Sequence, residues 1–187
     1  MFGKKLLLST LLGTALLYAE TGIGLDINNE DVEILGEINF NAWADYSSST
    51  TYLLDVNYLH TEDDNLAGIG FSGQNTLQGL EGLTLSVGAK LVYTDDFMAL
   101  PLMAKASYLL PFTDAIPSTS FSLSYAYAPS VLTFIDGDKY SEFRAEADME
   151  VISNIHIFAG YRDIDTDYEH KDYNFNDSFY GGLKVGF

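Results

Sequence analysis

The chain has no cysteine, so no disulfide can hold its fold and no thiol can serve as nucleophile or metal ligand. Beyond its first twenty residues it has no apolar run near the ~20 residues that a membrane-spanning helix needs. Basic residues are scarce: 9 Lys and Arg stand against 27 Asp and Glu, for a formal net charge of −18. Such a chain repels a phosphate backbone, which excludes nucleic acid as a partner. What it has in abundance is aromatic surface, with 13 Tyr and 12 Phe. An acidic disordered chain is poor in aromatics. Acidic loops on a barrel girdled by aromatic side chains would have this composition.

The N-terminus explains the one apolar run. Lys4 and Lys5 form a short basic region, residues 6–17 are apolar, and Leu17-Tyr-Ala19 places a small residue before Glu20. That is the layout of a cleaved secretory signal peptide. The expected domains are therefore a leader at 1–19 and one exported domain at 20–187. With no spanning helix available, the only route into a membrane is a closed barrel, which leaves no backbone group unpaired in lipid.

Period-2 alternation runs through almost all of that domain. Ile34, Ile38, Phe40, Ala42, Ala44 and Tyr46 oppose Glu33, Glu37, Asn39, Asn41 and Asp45 in a strand expected over 33–46. Tyr52, Leu54, Val56 and Tyr58 oppose Asp55 and Asn57. Leu83, Leu85, Val87 and Leu91 oppose Ser86, Gly88 and Lys90. Leu100, Leu102, Ala104, Ala106 and Tyr108 oppose Lys105 and Ser107. Phe121, Leu123, Tyr125 and Tyr127 alternate with serines; Phe143, Ala145, Ala147, Met149 and Val151 oppose Glu142, Arg144, Glu146, Asp148 and Glu150. Ile155, Ile157, Ala159 and Tyr161 oppose His156, Gly160 and Arg162. In the last strand Phe179, Leu183, Val185 and Phe187 share one face, ending on an aromatic, and Tyr180, Gly182, Lys184 and Gly186 share the other. These are lengths and periods of tilted membrane strands.

With a glycine-rich strand at 66–73 the count reaches nine, whereas single-chain bacterial barrels have even counts and both termini in the periplasm. Walking back from Phe187 puts 165–176, 134–139, 94–96 and 60–65 outside, and 153–154, 111–118, 74–82 and 47–50 inside. The strand at 33–46 then descends and needs an ascending partner, which residues 22–27 supply through a turn at 28–31. The expectation is an all-β, membrane-spanning, antiparallel up-and-down barrel of ten strands, with eight as the alternative. A soluble sandwich also has many short alternating strands, but the leader and the terminal aromatic favour the barrel.

Several blocks resemble the YfaZ-type outer-membrane proteins. They are Val56-Asn-Tyr-Leu-His-Thr-Glu-Asp-Asp64, Gly88-Ala-Lys-Leu-Val-Tyr93, Leu109-Leu-Pro-Phe-Thr-Asp114 and Leu123-Ser-Tyr-Ala-Tyr-Ala-Pro-Ser-Val-Leu132. Tyr140-Ser-Glu-Phe-Arg144 and Gly160-Tyr-Arg-Asp-Ile164 complete the set. The resemblance covers roughly 46–187 and is less clear over 22–41. It implies a small outer-membrane barrel and carries over no catalytic residue.

The candidate functional residues are the charges whose parity turns them inward: Glu142, Arg144, Glu146, Asp148 and Glu150 on one strand, and Lys90, Lys105, Arg162 and Lys184 on others. A basic side chain facing lipid at the bilayer midplane costs about 2–4 kcal/mol, so these face the lumen. They would form either a salt-bridged plug, since a barrel of about eight strands has room only for side chains, or a narrow cation-favouring pore. A lipid-modifying enzyme is a remote third reading, because His60, His156 and His170 stand in no triad spacing. No catalytic residue, cofactor or bound metal is expected. The acidic loop clusters at 62–64, 95–96, 136–138 and 163–172 would form a solvated surface. Asp165-Thr-Asp167 opens like an EF-hand loop but lacks its glycine and final glutamate. Expected partners are outer-membrane lipid and lipopolysaccharide, and, during biogenesis, periplasmic chaperones and the barrel-assembly machinery. Phe179, Leu183, Val185 and Phe187 would be the assembly signal. A monomer is the expected state.

Overall fold

The computed structural model describes residues 21–43, 49–111, 116–168 and 172–187. The expected leader at 1–19 lies outside the described residues, as do Ala44, Asp45, Tyr46 and His170. The elements are β1 (Gly22–Ile27), β2 (Val32–Asn39), α1 (Phe40–Trp43), β3 (Thr51–His60), β4 (Asn65–Thr76), β5 (Leu83–Tyr93) and β6 (Phe97–Ala99). They continue with β7 (Leu102–Leu109), β8 (Thr119–Ala128), β9 (Thr133–Ile135), β10 (Gly137–Ile152), β11 (Ile155–Tyr168) and β12 (Asn174–Gly186).

Ten of these strands form the wall. Each pairs antiparallel with its neighbours in the circuit β1-β2-β3-β4-β5-β7-β8-β10-β11-β12, and β1 returns to β12 from Gly22↔Gly186 to Ile27↔Gly181. The ten-strand circuit is closed, and among the described strands only the three-residue β9, paired on one side to β6, leaves an edge. Closure forces the strands to tilt, by roughly 35–45° in barrels of this kind. Thr21 and Phe187 lie together at one end, called the terminal end below. The opposite end, called the far end below, carries the turns at 28–31, 61–64 and 94–96.

The apolar face of each strand points outward. Ile23, Leu25 and Ile27 on β1 are 48–55% exposed, and Phe121, Leu123 and Tyr125 on β8 are 51–56% exposed. A soluble sandwich would bury that face, so the sandwich reading is excluded. No helix among the described residues is long and apolar enough to cross a membrane.

Four expected boundaries are corrected. The strand at 33–46 ends at Asn39 and turns into α1. Its side chain is the cause: Asn39 Oδ1 accepts from the Asn41 and Ala42 amides, 3.1 and 3.2 Å away, capping the turn. The strand at 100–110 is interrupted at Pro101, which has no N–H to donate, and continues toward the far end as β6. The expected loop at 134–139 is mostly strand: β9 pairs with β6 and β10 starts at Gly137. The expected loop at 165–176 is shorter, because β11 runs on to Tyr168 and β12 starts at Asn174. A register shift at Ile164/Asp165 leaves Phe175 as the extra residue of β12, and it is buried beside Asn176.

Closure makes a sharp demand at the β1–β12 seam. A Cβ on Gly182 would collide with the Leu25 carbonyl oxygen and lie 2.6 Å from the Phe158 ring, whereas one on Gly181 would meet only the Phe158 carbonyl, at 3.6 Å. Gly182→Val is therefore expected to prevent closure and Gly181→Ala to permit it. The readout is the mobility difference between unboiled and boiled refolded protein on a gel, retained in the second variant and lost in the first.

Candidate functional site

Inside the barrel the side chains sort into three levels. The middle one is ionic. Glu33 on β2 is fully buried and accepts hydrogen bonds from three strands. Arg144 on β10 donates to it twice, Nη1 at 2.7 Å and Nη2 at 2.8 Å. Arg162 on β11 donates from Nη1 at 2.5 Å, and Asn57 on β3 from Nδ2 at 2.7 Å. Glu142 forms a second node: Lys90 on β5 donates to it at 2.9 Å, the Tyr140 hydroxyl at 2.8 Å and Arg144 Nε at 2.5 Å. Arg162 is also fully buried. Its Nε donates to Asn176 Oδ1 at 2.9 Å, Asp26 and Asp31 lie 3.6 and 3.7 Å from its other nitrogens, and its guanidinium stands 5.1 Å from the centre of the Tyr180 ring.

These bonds cross the lumen. In the circuit β2 is separated from β10 by β1, β12 and β11, and β5 is separated from β10 by β7 and β8. Arg144, bound to both Glu33 and Glu142, is thus a strut joining walls that share no backbone hydrogen bond. The pairs are charge-assisted and partly bidentate, the strong form of such contacts.

Toward the far end the lumen becomes apolar. Leu59, Leu66, Val92, Phe97, Ala99, Ala128, Tyr140, Ile164 and Phe175 pack into one cluster, all of them at 0% exposure except Phe175 at 6%. Phe97, supplied by β6, stacks near Tyr140 and Tyr168 at centroid distances of 6.0 and 5.6 Å. Tyr140 belongs to both levels, its ring in the apolar cluster and its hydroxyl on Glu142.

Toward the termini the lumen is polar and half-buried. Glu37, Asp55, Lys105, Glu146, Asp148, Glu150, His156 and Lys184 occupy this level, and at the rim Glu150 accepts from the Asn154 amide. His156 Nδ1 lies 2.7 Å from Asp148 Oδ1, the Tyr180 hydroxyl donates to Glu146 at 3.1 Å, and Lys184 Nζ stands 5.9 Å from the centre of the Phe158 ring.

Of the nine inward charges expected from sequence, Glu142, Arg144, Lys90 and Arg162 are brought together in the ionic level. Glu146, Asp148, Glu150, Lys105 and Lys184 sit apart from them, nearer the termini. Glu33, Asp26 and Asp31, which complete the network, are additions. Strand parity alone signals two of them, since Glu33 shares a face with Glu37, and Asp26 with Gly22 and Gly24.

At the far rim His60 contacts Asn65 Oδ1 at 2.7 Å, not Asp63 or Asp64. Outside the strands, burial and the neighbouring Asp63 and Asp64 push the Tyr173 phenol up, which marks the approach of the β11–β12 loop to the β3–β4 turn. Among the described residues no group of three or more His, Asp and Glu is arranged to hold a metal ion.

A family model described as YfaZ precursor matches residues 44–187. No curated protein matches the chain. Among solved structures, the KdgM porin is 8% identical, with 90% of this chain and 99% of that one covered and a TM-score of 0.47. The NanC porin is likewise 8% identical, covering 90% of this chain and 98% of its own, with a TM-score of 0.40. Neither likeness bears on what this barrel binds or passes.

Removing one partner of a buried pair leaves the other charge uncompensated, at a cost of about 3–5 kcal/mol. Glu33→Gln would remove the carboxylate shared by Arg144 and Arg162, leaving them Glu142 and the more distant Asp26 and Asp31, and is expected to lower stability by about 3 kcal/mol. Asp148→Asn, at the half-buried level, is expected to cost about 0–1 kcal/mol. Urea unfolding of the refolded barrel measures both.

Proposed function

The chain belongs to the YfaZ precursor family, and on that premise we propose that it is an exported outer-membrane protein acting as a sealed structural barrel with acidic external loops. The terminal end faces the periplasm and the far end faces outward, the orientation single-chain barrels adopt. Its immediate partners are then the lipid and lipopolysaccharide around its apolar wall. Periplasmic chaperones and the barrel-assembly machinery act during biogenesis. Phe179, Leu183, Val185 and Phe187, between 45% and 78% exposed, form the face offered to that machinery, and the barrel functions as a monomer.

The observation that carries the sealed-barrel reading is the apolar cluster stacked on the ionic network. Its members come from β3, β4, β5, β6, β8, β10, β11 and β12. An ion crossing the barrel would have to shed its water among side chains at 0% exposure. Before that it would have to break salt bridges joining opposite walls. A pore needs a continuous polar path that ions enter and leave. Glu37, Asp55, Glu146 and Asp148 would draw cations into the periplasmic half, but that path ends at Arg144 and Glu33. Among the described residues the geometry lends a catalytic role no support: His60 and His156 each contact a single Asn or Asp and no serine.

Refolded protein in a planar lipid bilayer is expected to hold conductance at the level of the bare membrane. Phe97→Ala combined with Leu59→Ala, which empties part of the apolar level, is expected to raise it. Discrete current steps from the unsubstituted protein would overturn the sealed reading in favour of a pore.

A further inference from the structure

The apolar surface of the barrel is not equally tall on all sides. The ionic level marks a height within the wall, at Lys90 on β5 and Arg162 on β11. Beyond Lys90 toward the far end, the outward residues stay apolar: Leu91 and Tyr93 on β5, then Leu100 and Met98 leading into β6. Leu91, Tyr93 and Leu100 are 38–48% exposed. The β6–β9 ribbon carries the surface further, with Met98 paired to Phe134 across it and Phe134 43% exposed. Beyond Arg162 the opposite wall behaves differently. Its outward residues are Asp163, Asp165 and Asp167 on β11 and Asp177 on β12, and Asp163 stands directly opposite Asp177.

The apolar face stops short of the ribbon's tip. Asp95 and Asp96 precede β6, Asp136 follows β9 and Asp138 lies at the start of β10, and all four are exposed. Ile135 at the end of β9 pairs with the lumen-facing Phe97 and not with the outward pair, so the outward apolar surface of the ribbon is Met98, Leu100 and Phe134.

We infer that the β6–β9 ribbon is a one-sided extension of the lipid-facing belt, with Met98, Leu100 and Phe134 seated against the acyl chains of the outer leaflet. The inference rests on the outer-membrane reading proposed above. The occupant is lipid because the ribbon's outward face is continuous with the belt through Leu102, Tyr127 and Tyr93, and because Met98, Leu100 and Phe134 on that face are apolar, the carboxylates of Asp95, Asp96, Asp136 and Asp138 being confined to the tip. The Asp163, Asp165 and Asp177 wall sits at headgroup level, since hydrocarbon would exclude it. The barrel is therefore held unevenly, deeper on the β5–β8 side than on the β11–β12 side, because a taller apolar band settles further into the hydrocarbon layer.

Because the chain has no cysteine, single labels can be placed cleanly. Phe134→Cys, Leu123→Cys in the middle of the belt and Asp177→Cys on the opposite wall, each carrying an environment-sensitive fluorophore, are reconstituted into vesicles containing lipids brominated on the acyl chain. Each variant is first checked for the gel-mobility difference that reports a closed barrel. Acyl-chain bromine reaches only groups at hydrocarbon depth, so lipid quenching at 134 is expected to match that at 123 and to exceed that at 177 roughly twofold or more. Aqueous iodide is expected to show the reverse order. If 134 is quenched by iodide like 177, while 123 is quenched by lipid, the ribbon projects into water and the inference is overturned with the membrane reading intact. If 123 also escapes lipid quenching, the membrane reading itself falls and the inference falls with it.

Discussion

A barrel wall that meets lipid can carry charge only on its inner face, and a charge turned inward must find an opposite charge there. That constraint organises the protein. β10 presents Glu142, Arg144, Glu146, Asp148 and Glu150 on one face, and the apolar residues between them take the other. Arg144 then reaches across the lumen to Glu33, which also accepts from Arg162. The same chemistry that keeps charge out of the bilayer thus ties β10 to β2, and through Glu142 and Lys90 to β5.

The ionic level depends on what lies on each side of it. Facing the far end, residues such as Leu59, Val92 and Ile164 exclude water and lower the local dielectric, which strengthens the pairs and raises the cost of breaking them. Tyr140 couples the levels by placing its ring in the apolar cluster and its hydroxyl on Glu142. Facing the termini, the half-buried carboxylates and lysines are less tightly committed. The result is a barrel closed toward the far end and polar toward the termini. On the sealed-barrel reading proposed above, the functional weight of the protein moves to its surfaces: the apolar belt, its ribbon and the acidic rim.

Much of this was legible in the sequence because lipid sorts side chains so severely. Alternation places every outward apolar residue of β5, β8 and β12 correctly, and the parity of the strand count finds β1 from six residues. The misses have local causes. Asn39 ends β2 by capping α1 with its side chain, a contact that alternation cannot register. β11 continues as strand through Asp163, Asp165 and Asp167, but these outward positions lie above the belt and are acidic, so they read as loop. Among the charges, parity separates inside from outside and says nothing of height. Strand tilt therefore gathers Lys90, Glu142, Arg144 and Arg162 at one level and leaves Lys105, Glu146, Asp148, Glu150 and Lys184 below it. Glu33 was visible by parity, but its place as the acceptor for two arginines depends on the closed circuit.

If the cross-lumen contact between Glu33 and Arg144 holds the walls together, its energy is measurable as a coupling. Unfolding free energies of the unsubstituted barrel, Glu33→Gln, Arg144→Gln and the double variant form a complete cycle. The account predicts a coupling of about 2 kcal/mol or more, with the double variant far less destabilised than the two single losses combined. Losses that add to within about 0.5 kcal/mol would contradict it, because the two residues would then be contributing independently.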